Sequence, residues 1–101
     1  DATRSRWRAP VVAVQAGQTY RYGVHIRGAQ IAGTARVTMV FLRADRTRIG
    51  SQESPTLRGT FNWQWLGGTV TPPAGTSTLR FELRLYQGGA VWFDDLVLEK
   101  Q

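Results

Sequence analysis

The sequence predicts an all-β fold, an antiparallel β-sandwich, on three observations. Apolar residues alternate with polar ones instead of recurring at the three-and-four spacing of a helix. The alternating runs are rich in Val, Thr and aromatic residues, which suit a pleated, half-buried surface. Gly, Pro and Asp clusters cut the chain into short segments, as turns do. At 101 residues, 42% hydrophobic and 20% charged, the chain suits one core: a single module over 1–101, or a piece of a larger one.

A first strand covers Ala9–Val14 and stops at Ala16-Gly17. A second covers Gln18–Arg27, with Tyr20, Tyr22, Val24 and Ile26 on the core face and Thr19, Arg21, His25 and Arg27 on the other. Gly28 and Gly33 bracket a loop. The third strand, Thr34–Arg43, sets Ala35, Val37, Met39 and Phe41 inward. Its second face, with Thr38, Val40 and Leu42, is half apolar too. Residues 45–48 form a turn, and 49–59 show no readable element. A fourth strand runs over Thr60–Leu66 and a fifth over Gly68–Thr71, stopped by Pro72-Pro73-Ala74-Gly75. The last two, Thr78–Tyr86 and Ala90–Glu99, alternate most cleanly.

Gly88-Gly89 between two alternating runs is a signal for a two-residue hairpin turn with positive φ. Counting outward pairs Tyr86 with Val91, Glu82 with Asp95 and Leu79 with Leu98. Opposed residues share a face, so Leu79, Phe81, Leu83, Leu85, Trp92, Leu96 and Leu98 form a core face that also holds Asp94. Arg80, Glu82, Arg84, Tyr86, Val91, Phe93, Asp95 and Val97 form the other. In this register Asp94 and Asp95 point to opposite faces. An unpaired charge on an apolar face is costly, so Asp94 is either a carboxylate at the core margin bonded to a loop or a ligand of a structural Ca²⁺, a cation that takes carboxylate and carbonyl oxygens.

Several function classes fall away. With no Cys and one His there is no thiol nucleophile, zinc-thiolate site or cluster of nitrogen ligands. No Gly-x-Ser-x-Gly elbow or Walker-type loop occurs. Glycoside hydrolysis needs two carboxylates facing one cleft, and the sequence offers none, so the domain reads as non-catalytic. No apolar run is long enough to cross a bilayer as a helix. The net charge is +6, from twelve arginines and Lys100 against seven acids. Nucleic-acid binding would want a basic patch with interleaved aromatics, whereas these arginines are dispersed, dense only over residues 4–8 and 43–48. Arg also suits acidic glycans, whose carboxylates or sulfates it holds bidentately.

Four segments carry a family resemblance. Val14-Gln15-Ala16-Gly17-Gln18-Thr19-Tyr20 resembles the V-x-x-G-x-x-Y strand of the CenC-like carbohydrate-binding modules, which have a galactose-binding-like jelly roll and accompany glycoside hydrolases. Phe41-Leu42-Arg43-Ala44-Asp45 resembles their F-x-D-x-x-G strand and turn, although Arg43 replaces the Asp and Arg46-Thr47 the turn glycine. Trp63 with Pro73-Ala74-Gly75-Thr76 resembles their W…T-x-P-A-G segment, and Val91–Leu98 their closing V-x-F-D-D-V-x-L strand. The resemblance covers Trp7–Glu99. The family's N-terminal segment, with an N-x-x-F-E strand, is not in this sequence.

The resemblance implies a jelly-roll accessory module of a secreted or extracytoplasmic protein, beside a catalytic domain and binding a polysaccharide or oligosaccharide. It implies Asp94 as a Ca²⁺ ligand, sharing the ion with groups of the missing segment. The missing strands imply an open sheet edge available for association. Candidate ligand residues on non-core faces are Arg21, His25 and Trp65, and Glu82, Arg84 and Tyr86. Trp63 is expected to wall the core. Trp65 shares its parity and is core as well, unless a bulge or strand end frees it. His25 equally suits a plain surface histidine, and the Arg/Glu ladder a solvated cross-strand pairing. The alternative function is a structural module that docks a neighbouring domain or chain.

Overall fold

The computed structural model describes the backbone of residues 4–101 and the side chains from Val11 onward. The dense Arg4–Arg8 cluster therefore lies outside the described side chains. There are six strands: β1 (Arg4–Ala13), β2 (Tyr20–Leu42), β3 (Arg48–Glu53), β4 (Leu57–Val70), β5 (Thr78–Tyr86) and β6 (Ala90–Lys100). Every pairing between them is antiparallel, as the alternation predicts.

The organiser is β2, 23 residues long. Its first half has β4 on one edge and β6 on the other. Its second half pairs with β3 and β5, and β5 carries β1 on its far edge. One curled sheet thus makes two layers, β6–β2–β4 and β1–β5–β2–β3, around a shared core. The loop expected between Gly28 and Gly33 is instead the bend that carries β2 from layer to layer. Backbone pairing continues through it with three register shifts, and Gln30 takes φ 55°. Both glycines are needed for close approach. A Cβ at Gly28 would meet the Phe61 ring at 2.6 Å, and one at Gly33 would meet the Tyr86 carbonyl oxygen at 2.4 Å.

Inside, Tyr20, Tyr22, Val24 and Ile26 of β2 face Val37, Met39 and Phe41 from its second half and Leu79, Phe81, Leu83 and Leu85 from β5, all buried. Each fully buried aliphatic or Phe side chain contributes roughly 1.5–3 kcal/mol. The second face of the third predicted strand is buried as well, with Thr38 1%, Val40 1% and Leu42 3% exposed.

The C-terminal pairing departs from expectation. β5 and β6 do not form a hairpin: β5 bonds to β1 and β2, and β6 to β2. Gln87, Gly88 and Gly89 all have positive φ (64°, 74° and 94°) and carry the chain across from one layer to the other. The apolar rows of β5 and β6 face each other through the core instead of lying side by side. Leu83, Leu85, Val91, Phe93 and Leu96 line a cavity of about 720 Å³ along β6.

A bulge in β6 changes its parity. Gly23 pairs with Val97 and His25 with Asp94, so Asp95 and Leu96 oppose Val24 alone, and Asp95 takes φ 57°. Val91 and Phe93 face inward before the bulge, Leu96 and Leu98 after it. Trp92 (42% exposed) and Asp94 are therefore outside, not on the core face, and Asp94 and Asp95 do not point to opposite faces. Elsewhere, β3 occupies part of the unread 49–59 stretch, and β4 joins the two strands expected over 60–71. Ile26 pairs with Gln64 but Gly28 with Phe61, and this shift leaves Trp63 45% exposed and not a core wall.

Candidate functional site

The six residues expected to bind a ligand divide between the two layers. Glu82, Arg84 and Tyr86 stand on the outer face of β1–β5–β2–β3. Arg21, His25 and Trp65 stand on the outer face of β6–β2–β4.

On the first face, strand parity sets Arg80, Glu82, Arg84 and Tyr86 outward along β5. They lie beside Arg36, Thr38 and Val40 of β2, with Arg36 directly opposite Arg84 and Thr38 opposite Glu82. Glu82, not Asp95, is the acidic centre here. Its side chain is 1% exposed and takes two guanidiniums: Arg80 Nε and Nη2 each lie 3.0 Å from Oε2, and Arg84 Nη2 lies 2.6 Å from Oε1. Burial alone would raise the Glu82 carboxyl. The hydrogen bond and charge of Arg84, then those of Arg80, outweigh it and hold the carboxyl below its ordinary value. Reciprocally, the bond to Glu82 pushes the Arg84 guanidinium up despite burial. So Glu82 is occupied, and its role is to pin two arginines whose side chains are 26% and 22% exposed.

Arg36 extends this row. Its guanidinium lies 5.0 Å from the Tyr86 ring centroid, its Nη2 donates to the Tyr86 hydroxyl at 3.3 Å, and it pairs with Glu53 at 3.1 Å. Three guanidiniums thus border a floor of Thr38 and Val40. Buried in this face, Thr38 Oγ1 and Arg36 Nε have no hydrogen-bond partner among the described residues. An unsatisfied buried polar atom costs about 1–3 kcal/mol.

On the second face, β2 sets His25 directly opposite Trp65 of β4 and Asp94 of β6, and Arg27 opposite Trp92. Trp65 is 50% exposed. Its indole lies on the strand backbone at Gly23, where a Cβ would come within 1.9 Å of its six-membered ring. The edge of His25 meets it at 4.9 Å between centroids and 68° between planes. His25 Nδ1 lies 3.1 Å from Asp95 Oδ2. The Arg27 guanidinium sits 4.4 Å from the Trp92 centroid. Arg21 pairs with Glu99 at 2.8 Å, an exposed contact that adds little stability. Sequence reasoning missed Trp92 here and Arg36 on the first face: the first was hidden by the β6 bulge, the second by the pairing of β2 with β5.

Asp94 Oδ1 accepts the Asp95 backbone N–H at 2.9 Å. No three His, Asp or Glu side chains converge to hold a metal among the described residues. Calcium takes six to eight oxygens, and the described surroundings of Asp94 do not fit that requirement.

No protein-family profile matches the chain, and no curated protein sequence does. Solved structures do match. The enzymatically active domain of tailspike protein 4 of bacteriophage CBA120 superposes with a TM-score of 0.82 at 9% identity, over 97% of this chain and 14% of that one. The CBM22-1–GH10 modules of Clostridium thermocellum xylanase 10B, complexed with xylohexaose, superpose with a TM-score of 0.70 at 13% identity, over 87% and 18%. A CBM4 structure superposes with a TM-score of 0.65 at 19% identity, over 95% and 61%. The chain therefore spans less than two thirds of each. At these identities the likeness establishes the fold alone, an all-β antiparallel jelly roll.

Proposed function

We propose that this chain is a non-catalytic carbohydrate-binding module of a larger extracytoplasmic protein, and that its β1–β5–β2–β3 face takes a glycan bearing carboxylate or sulfate groups. The observation that carries this reading is the row of Arg36, Arg80 and Arg84 beside Tyr86, with Glu82 fixing two of the guanidiniums from beneath. Each guanidinium has five N–H donors, and Glu82 engages two from each neighbour. Remaining edges suit bidentate capture of a planar anion. Tyr86 adds a half-buried ring that packs with the Arg36 guanidinium and a hydroxyl that accepts from Arg36 Nη2. The jelly-roll likeness to CBM4 and CBM22 modules supports the non-catalytic reading. A Ca²⁺ at Asp94 would require oxygens from outside the described residues.

The test is a glycan array probed at about 0.15 M salt, where exposed long-range charge effects are largely screened. Uronate-, sialate- or sulfate-bearing glycans should be retained, and Arg84→Ala or Tyr86→Ala should weaken retention about tenfold, with folding checked by circular dichroism. A blank array for the folded protein refutes the proposal. The cavity along β6 favours a second reading, docking of a neighbouring domain or chain against that edge. Equal hydrogen exchange of β6 amides in the isolated chain and in the parent protein would exclude it.

A further inference from the structure

We propose that the start of β6, Ala90–Asp94, accepts an extended segment of another protein chain as an added strand. Apolar side chains at alternate positions of that segment enter the cavity along β6, and basic ones face outward. This rests on the docking reading of the β6 edge, which it deepens, and it is independent of the arginine face.

The two sides of the sandwich are closed differently. On one side the edge strands are β3 and β4, and Gln52 Nε2 donates to the Thr69 carbonyl oxygen at 2.8 Å, tying one layer to the other. On the other side β6 pairs with β2 alone among the described strands, so β6–β2–β4 sets three strands against the four of β1–β5–β2–β3. Burial follows the same asymmetry. Val24, Leu83 and Leu85 are 1%, 3% and 6% exposed. Val91, Phe93 and Leu96, which line the same cavity from β6, are only partly buried. The cavity, about 720 Å³, is several times the ~150 Å³ void that removal of one large core side chain leaves. Filling it takes a row of side chains rather than one.

An edge strand offers its backbone N–H and C=O groups as a template for a further strand, whose alternate side chains then enter one face. Along β6 this template and the apolar cavity coincide over residues 89–96. The combination suits a peptide; a small apolar molecule or a lipid tail would leave the backbone groups unused. Asp94 and Asp95, both exposed, give the outer side of this edge a negative charge. Outward positions of an added strand therefore suit Lys or Arg, and an anionic headgroup is repelled. The same charges oppose a second copy as the occupant. Antiparallel self-pairing about the middle of β6 would set Asp94 and Asp95 of one copy against those of the other. The bulge at Asp95 interrupts the ladder there and confines the accepting stretch to Ala90–Asp94, about the usual length of a strand.

The test is a titration of the ¹⁵N-labelled protein with synthetic peptides of about nine residues that alternate Leu or Val with Lys. One is unmodified, two are N-methylated at alternate amides in the two possible registers, and one has the same composition in scrambled order. The unmodified peptide should bind saturably, shift the backbone amides of residues 90–94 and slow their hydrogen exchange, while the side-chain signals of Arg36, Arg80 and Arg84 stay in place. Methylation of the amides that face β6 should weaken binding about tenfold or more, and methylation of the other set should leave it unchanged. Scrambling, or Glu in place of Lys, should weaken it by a similar factor. The proposal is overturned if the two methylated peptides bind alike, if the scrambled peptide binds as well as the alternating one, or if no peptide binds. In that last case, β6 amides still protected in the parent protein would leave docking standing and refute strand addition alone, whereas equal exchange in chain and parent would refute both. Protection of residues 90–94 that rises with protein concentration and needs no peptide would assign the edge to a second copy and overturn the proposal as well.

Discussion

Replacing Glu82 by Gln tests how this sheet face is held together. The change keeps the size of the side chain and one acceptor oxygen but removes the charge shared by Arg80 and Arg84. A hydrogen bond to a charged group contributes about 1.5–3 kcal/mol net, and both guanidiniums bond to this one carboxylate. Their side chains are 26% and 22% exposed, so water recovers part of the loss. The expected cost at pH 7 is about 2 kcal/mol. In a domain of this size that lowers the melting temperature by about 10 °C. The cost also depends on pH in a defined direction. Because the folded carboxyl sits below its ordinary value of 4.5, the unfolded chain takes up the proton first. The stability due to Glu82 is therefore complete above about pH 4.5 and is lost as pH falls through the lower folded value. Thermal melts of both proteins from pH 7 to 2.5 should show a gap that is constant above that pH and closes below it. A gap of less than about 2 °C at pH 7, or one that widens in acid, would refute the assignment of Glu82 as the anchor of two arginines.

Three further substitutions probe the bend and the core, each read as a urea midpoint. Gly33→Ala sets a methyl against the Tyr86 carbonyl oxygen, a backbone atom that cannot swing away, and should cost about 1–3 kcal/mol. Gln30→Gly relieves a left-handed φ of 55° on a side-chain-bearing residue and should be neutral or stabilising by up to about 1 kcal/mol; clear destabilisation would contradict the bend as described. Ile26→Ala empties a fully buried position between the layers and should cost about 2–5 kcal/mol.

Much of the strand layout was legible, because burial on one face imposes alternation whatever the neighbour. Thr78–Tyr86 matches β5 at both ends, and Ala90–Glu99 matches β6 to within one residue. What alternation does not encode is whether two apolar rows lie side by side or face to face. Gly88-Gly89 suits a two-residue turn, but with Gln87 also at positive φ the chain crosses between layers, and Glu82 finds arginines on its own strand instead of Asp95. Bulges hide the rest. One extra residue at Asp95 turns Trp92 and Asp94 outward, and the shift between Gln64 and Phe61 does the same for Trp63. His25 and Trp65 were legible as candidates. Their meeting depends on β2 pairing with β4 through a strand that carries Gly23 opposite Gly67, a long-range register without a local signature. Of the arginines, which are dense in sequence only over residues 4–8 and 43–48, the fold gathers Arg36, Arg80 and Arg84 onto one sheet face.

The most direct test of glycan binding by the arginine face is a footprint on the ¹⁵N-labelled protein, with the strongest acidic oligosaccharide from the array as titrant. The arginine Nε–H signals of Arg36, Arg80 and Arg84 should shift together and saturate at one midpoint, and Arg84→Ala should raise that midpoint about tenfold. Saturable binding that leaves those three signals in place would contradict the central claim.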